Sequence, residues 1–551
     1  MLTKINNIFK VRSVKFYILP LVILLSQALT SCLSDNPKDR LTEDEAYSNA
    51  SNLYINTVAT LYNYIGGSSD SQGLQGTYRG IYDYNTFTTD EAMIPTRGGD
   101  WYDGGFWQNL YLHSWTATDK SLEYTWNYLY KVVVLCNKSL QNIEKNKSSL
   151  TSEEYASYTS EIRAIRAMFY YYIMDMYGNV PIVTDANVQL SEVKQSKRSD
   201  VFKFIINELQ ETAPLLPDEH SNIEGSYYGR VTRPVAYFLL AKLALNAEIY
   251  THDNWTTTSQ TNGKDINIAV DGRNTNAWNA CITYCDKITT EGYSLEKDYA
   301  TNFKVHNETS TENIFTIPMD KSLYANQFQY LFRSRHYNHG AAIGMDAENG
   351  SCSTISTVKA YGYGTDNIDT RYTINFYSDT LYVDGKIVYL DNGKPLIYSP
   401  LEVAIDLTGS KYEKTGGARM SKYEIDRTAY ADGKLQNNDI VLFRYADVIL
   451  MKAEAKVRNG EDGSTELNMI RSRAKMPDRT ASLSNILNER LLEFTWEGWR
   501  RQDLIRFGKF CQAYDLRPQL TNESNGYTTV FPIPQTVLDL NGNLKQNPGY
   551  K

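Results

Sequence analysis

The sequence predicts a mainly α-helical protein: a tetratricopeptide-like scaffold of helix pairs carrying a long, irregular, loop-rich lobe and a few short strands. Three observations predict it. Apolar residues recur at three- and four-residue steps in four stretches of the chain. Two of these stretches carry alanines along one face, which lets a neighbouring helix approach closely, although no clean repeat of tetratricopeptide length is visible. Long segments rich in Gly, Asn, Tyr and Ser separate them. At 551 residues the chain exceeds what one hydrophobic core usually supports, so two lobes or an elongated repeat-built body are expected.

In chain order, Ile162, Ile165, Phe169, Ile173 and Met176 set the first helical period, and Gly178 and Pro181 close it. Arg233-Pro234-Val235-Ala236 places Pro in the first turn of a second helix running to about Tyr250, with Ala236, Ala241, Ala244 and Ala247 as its small residues. A third is expected from Leu442 through Val457, ended by Asn459-Gly460, with a short partner from Leu467 to Ala474. The fourth runs from Ile486 through Trp496, turns near Gly498 and continues to Phe507, capped by Gly508. Residues 253–272 and 321–438 read as irregular, and Leu381 to Tyr398 alternates like short strands around Asp384-Gly385 and Asn392-Gly393 turns. Long loops on a rigid scaffold are where function usually sits.

The N-terminus reads as an export signal. Lys4, Lys10, Arg12 and Lys15 form a basic region, Phe16 to Ala28 an apolar stretch too short to span a bilayer, and Leu29-Thr30-Ser31-Cys32 a lipobox. Acylated Cys32 would anchor the chain durably, at ~0.8 kcal/mol per buried CH₂ over two or three chains, with Leu33 to Arg40 as a polar tether. The net charge is −8, and removing the basic leader makes the body more acidic still, which argues against nucleic acid or anionic lipid as partners. Beyond Cys32, five cysteines remain, an odd number without a disulfide framework. Cys281 and Cys285, four apart on an expected helix, read as small buried hydrophobes rather than a zinc site.

Familiar catalytic patterns are absent. There is no P-loop, HExxH or GxSxG, and Gly362-Tyr363-Gly364 lacks the third Gly and preceding strand of a dinucleotide site. His336 and His339 on an expected loop point to solvent or substrate rather than to a metal. Asp539-Leu540-Asn541-Gly542-Asn543 lacks the further Gly and distal Glu of a calcium loop, so no cofactor is expected and a structural calcium is unsupported. Glu489, Glu493 and Glu497 lie on one helical face, but interleaved Arg490, Arg500, Arg501 and Arg506 would depress their pKa values. A general acid needs the opposite shift, so ion pairing is the better reading.

The segment that resembles a site is the strap from Arg97 to Trp107, with four Gly, two Trp, one Tyr and one Phe. Trp107 begins a periodic run with Leu110 and reads equally as core. Trp101 and Tyr102, flanked by Arg97, Asp100 and Asp103, read as a stacking platform for a sugar ring, whose rim hydroxyls bond carboxylate and guanidinium groups. Tyr outnumbers Phe by 43 to 18, which suits a wet surface that stacks on hydroxylated ligands. A second patch of Phe332, Arg333, His336, Tyr337 and Asn338 could face the first.

With these residues assembled, the chain resembles the SusD/RagB family of outer-membrane lipoproteins nearly end to end. The resemblance is carried by Cys32, Asp44-Glu45-Ala46-Tyr47, Glu161 to Ala167 with Tyr177 to Pro181, and Arg233 to Lys242. It continues through Asn438-Asp439, Phe443 to Ala455, Asn468 to Ala474, Glu489 to Leu504, Phe531 to Pro534 and Gln546 to Tyr550. It implies a signal peptide over 1–31, an N-terminal region over 32–230 and a C-terminal region over 231–551 with the loop-rich insertion at about 321–438. It also implies a non-enzymatic, surface-exposed, lipid-anchored glycan-binding protein of the outer membrane that sits as a lid on a SusC-like TonB-dependent transporter and takes an oligo- or polysaccharide. The competing expectations are a surface glycoside hydrolase and a lid that captures peptide or another nutrient.

Overall fold

The computed structural model describes residues 47–66, 73–75, 79–258, 260–322, 333–431 and 436–550. The export signal, the Cys32 anchor, the Asp44-Glu45-Ala46 motif and Phe332 lie outside the described residues.

Helices dominate the N-terminal half. Ile81–Phe87 (α1) and Phe106–Tyr111 (α2) flank the strap, and the long helices Lys120–Lys145 (α3) and Ser152–Tyr177 (α4) follow. Arg198–Thr212 (α5), Arg233–Leu245 (α6) and Ala277–Thr290 (α7) continue the series. Each packs on the next, α3 on α4 through to α6 on α7, and α7 then packs on Tyr445–Asn459 (α9). Tyr337–Ile343 (α8) lies in the loop-rich region, and Ser464–Arg473 (α10), Leu483–Phe494 (α11) and Arg500–Arg506 (α12) complete the scaffold. Asn49–Lys551 forms one compact unit.

Local chemistry fixes the helix ends. Thr151 and Glu154 form a reciprocal capping box at the start of α4, satisfying two backbone N–H groups that the helix cannot. At its end Gly178 takes φ +68°, and a Cβ there would sit 2.6 Å from the Trp255 ring, so only glycine fits. From Ser160 onward every residue of α4 except Arg163 is buried, which makes it a central helix. Much of the tyrosine excess is spent here rather than on the surface. The Tyr171 hydroxyl donates to Gln502 Oε1 at 2.8 Å, Tyr177 to Leu122 O at 2.8 Å, and Tyr250 to Asp175 Oδ1 at 2.8 Å. A buried ring with a bonded hydroxyl serves a core as well as a wet surface.

One expected helical start is corrected. Leu442, Phe443 and Arg444 belong to a strand, Ile440–Arg444, paired antiparallel with Asn313–Ile317, and the helix begins only at Tyr445. An uninterrupted apolar run buried on both faces has no period to separate strand from helix. The alternating segment forms short antiparallel pairs, Tyr382–Val383 with Lys386–Ile387 and Asp379–Thr380 with Ile397–Tyr398. Asp384 and Gly385 both take positive φ, as a two-residue hairpin turn requires.

The carboxylates of Glu489, Glu493 and Glu497 do not share one helix, because α11 ends at Phe494 and Glu497 lies in the turn beyond it, but all three are locked. Glu489 pairs with Arg371 and Arg471, Glu493 with Arg371, Arg444 and Arg473, and Glu497 with Lys422 and Arg444, all buried. Although burial opposes ionisation, Arg473, Arg444 and Arg371 hold Glu493 well below the usual carboxylate range. Cys281 and Cys285 are buried on α7, as small hydrophobes. Among the described residues no group of three or more His, Cys, Asp or Glu could hold a metal ion, and no helix is long and apolar enough to cross a membrane.

Candidate functional site

The strap is pinned at its base and open at its crown. Thr96 N–H donates to Ile405 O at 3.0 Å and Leu407 N–H to Thr96 O at 2.9 Å, tying its start to the loop-rich region. Arg97 and Asp100 then exchange backbone bonds around Gly98, whose φ of +70° favours glycine there. Trp101 adopts φ +64°, a left-handed conformation that costs a non-glycine residue of order 1 kcal/mol. The ring compensates by packing: Trp101 Nε1 donates to Glu348 O at 2.8 Å, its six-membered ring lies over Gly350, and it meets Trp107 edge-on at 5.8 Å.

Two of the expected ligand residues are placed beneath the surface. Arg97 is fully buried and donates to Gly350 O at 3.1 Å, Glu413 O at 3.1 Å and Gly416 O at 2.9 Å. Burial, and secondarily the neighbouring Arg419, lowers its pKa to about 9. Trp107 is sealed among Phe87, Phe106 and Trp101, and its indole N–H donates to Asp103 Oδ2 at 2.8 Å. Asp103 also pairs with Arg79 at 2.8 Å. These residues shape the strap from inside.

What remains at the surface is a ring-and-carboxylate arrangement. Tyr102 is 61% exposed and Tyr337, at the start of α8, is 43% exposed. The Tyr337 hydroxyl donates to Asp100 Oδ2 at 2.8 Å, so the strap and the second patch meet. Lys414 Nζ donates to the same carboxylate oxygen at 2.9 Å and to Arg97 O at 2.9 Å. Burial opposes the charge on Asp100, but the bonds from Lys414 and Tyr337 outweigh it and hold the carboxyl below its ordinary value. Partial burial, then Asp100, pushes Tyr337 up to about 12, so its hydroxyl keeps its proton. Asn338 Nδ2 donates to Asp391 Oδ1 at 2.7 Å, which draws in the hairpin bearing Tyr389, itself 53% exposed.

His336 and Arg333 have other duties. His336 caps α8 by accepting from Asn338 N–H at 3.0 Å, and burial with Arg419 and Arg97 nearby lowers its pKa to about 4. Arg333 pairs with Asp83 at 2.6 Å inside the core. Lys414, Asp391 and Tyr389 were not singled out in the sequence. The contacts that recruit them span 53 positions between Asn338 and Asp391 and 314 between Asp100 and Lys414, so no local signal marks them.

The molecule falls in the class of mainly helical proteins that display tyrosines, an amide and a carboxylate–ammonium pair on long loops. Within it, the chain belongs to the SusD family: the sequence model of that family matches residues 267–550, and a second, described as starch-binding associating with outer membrane, matches 73–245. The chain is 24% identical to the starch-binding protein SusD of Bacteroides thetaiotaomicron, over 96% of this chain and 98% of that one. It is 22% identical to a SusD-like protein of Bacteroides ovatus, over 92% and 86%. Among solved structures it is similar to surface glycan-binding protein A of B. thetaiotaomicron in complex with laminarihexaose, with a TM-score of 0.67, 21% identity, and coverage of 90% and 98%. A SusD-like carbohydrate-binding protein of Bacteroides fragilis gives 0.69 at 18% identity, covering 91% and 100%.

Proposed function

We propose that this protein is a non-catalytic, surface-displayed lipoprotein that captures a glycan through Tyr102, Tyr337, Asp100 and Asn338 and delivers it to a SusC-like TonB-dependent importer of the outer membrane. The observation that carries the glycan reading is two exposed rings beside Asp100: Tyr337 is held by its bond to that carboxylate, and Tyr102 follows Asp100 by two residues on the strap. A sugar presents a C–H face to such rings and hydroxyls to the Asp100–Lys414 pair and the Asn338 amide. Relatives named for starch, laminarihexaose and carbohydrate binding support it, as does commitment of the α11 carboxylates to ion pairs rather than to acid–base work. Cys32 as lipid anchor and the transporter partnership rest on the leader sequence and the family.

A capture site of this kind needs only modest affinity. A millimolar site is worth ~4 kcal/mol, and tethering over a transporter raises the effective concentration. Affinity electrophoresis of the soluble chain in gels containing single polysaccharides tests the reading: Tyr102→Ala and Tyr337→Ala should each abolish retardation by the polymer that retains the wild type. Undiminished retardation of both variants would remove this surface from the function.

A further inference from the structure

Beyond Tyr102 the strap turns at Asp103 and forms one wall of a second hollow, a cleft of about 400 Å³. Its other walls come from α2 and the start of α3. Tyr124 stands there 59% exposed, and among the described residues no hydrogen bond engages its hydroxyl. Phe106 contributes a half-buried ring with the Arg79 guanidinium 4.7 Å from its centre. Asn109 accepts from Ser114 Oγ at 3.0 Å through its side-chain oxygen, which leaves the amide N–H groups for the cleft. A Cβ at Gly104 would meet nothing within 4 Å, so the strap wall there is bare, open backbone.

The cations beside the cleft are already paired. Asp103 pairs with Arg79 and Lys120 with Glu123, while Asp119 accepts from Thr116 N–H and Oγ1. Among the described residues no unpaired cation is left beside the cleft to select a phosphate or carboxylate, and the one carboxylate without a cation, Asp119, is held by Thr116. Two rings, a neutral amide and the lack of an unpaired cation suit a neutral hydroxylated ligand, and the volume lies in the range of small-ligand sites. Asp103 directly follows Tyr102 in the chain, so one strap serves both surfaces.

We propose that this cleft is a second saccharide subsite, and that the ligand is a polysaccharide chain, not a short sugar, which runs past the strap from the Tyr102–Tyr337 surface into the cleft. This rests on the glycan reading above. The test uses oligosaccharides of increasing length, from the disaccharide upward, cut from the neutral polysaccharide that retains the wild type, with calorimetry on the full soluble chain. Tyr124→Ala should weaken the longest ligand roughly five- to tenfold and leave the disaccharide unchanged. Tyr124→Phe, which keeps the ring, should bind as wild type. Tyr337→Ala should lose short and long ligands alike. If Tyr124→Ala binds every length as wild type does, or weakens all lengths equally, the cleft is not a separate subsite, although the glycan reading stands. If the wild type retains no neutral polysaccharide in a broad panel, the glycan reading falls and takes the subsite with it.

Discussion

Gly350→Ala should disable the candidate surface without touching a ligand. A Cβ at position 350 would lie 2.6 Å from Trp101 Cε2 and Cζ2 and 3.1 Å from Arg333 O. Gly350 does not occupy the left-handed region, so the substitution carries no conformational penalty and most of the effect comes from the ring. Backbone on the far side cannot yield, so Trp101 must rotate or lift. Overpacking of this kind costs about 1–3 kcal/mol, and losing the Nε1 bond to Glu348 O adds about 1 kcal/mol. Trp101 is also held in a strained backbone conformation, so a displaced ring releases the strap and carries Asp100 away from Tyr337. The expected result is a lower urea midpoint together with weaker retardation in the glycan gel. A Trp101→Ala background removes the clash, so adding Gly350→Ala to it should cost almost nothing, a coupling of about the size of the single-variant loss. A Gly350→Ala protein as stable as wild type, or equally destabilised with and without the indole, would refute the reasoning.

Two further substitutions probe the scaffold. Glu91 is buried and accepts from Trp496 N–H at 2.7 Å, and burial raises its pKa to about 8. The folded state therefore holds the proton more tightly than the unfolded chain, so the stability it contributes is full at low pH and is lost as pH rises from about 5 through about 8, a change on the order of a few kcal/mol. Glu91→Gln should flatten that slope in urea midpoints measured across this window. Glu493→Gln leaves Arg371, Arg444 and Arg473 short of their shared buried carboxylate and should cost about 3–5 kcal/mol, read as a lower midpoint and loss of hydrogen-exchange protection in α9 and α11.

The scaffold was legible where period and punctuation agree. On α4 and α6 the apolar spacing, a capping residue or early Pro, and a closing Gly or Asn all point the same way. Ile440–Arg444 was not, because five residues buried on both faces carry no alternation. The strap was visible as a glycine-loosened aromatic cluster, but its sequence cannot say that both tryptophans pack and leave Tyr102 as the exposed ring. That choice is made by the positive φ at Trp101 and by Gly350, which lies far along the chain. Likewise Tyr337 and Asp100 are 237 positions apart, and Lys414 further still. A surface assembled from three loops is a property of tertiary contacts, and single loops hold only its parts.

Arg97 shows why a residue that never reaches solvent can govern such a surface. Its guanidinium is buried with no carboxylate partner among the described residues, and three carbonyls, Gly350 O, Glu413 O and Gly416 O, take its N–H groups. Those carbonyls belong to the segment under Trp101 and to the loop that carries Lys414, so one fork joins the strap to both of its supports. Arg97→Lys keeps the charge but not the planar spread of donors, and an ammonium cannot bond three carbonyls disposed for a fork. At least one would be left unsatisfied, at about 1–3 kcal/mol, and the loop bearing Lys414 would loosen. Lys414 would then leave Asp100, and the carboxylate that orients Tyr337 would lose its second partner. Glycan affinity should fall several-fold in Arg97→Lys, with a lower urea midpoint, although residue 97 touches no ligand. Wild-type affinity and stability in that variant would mean that the strap holds its shape by aromatic packing alone.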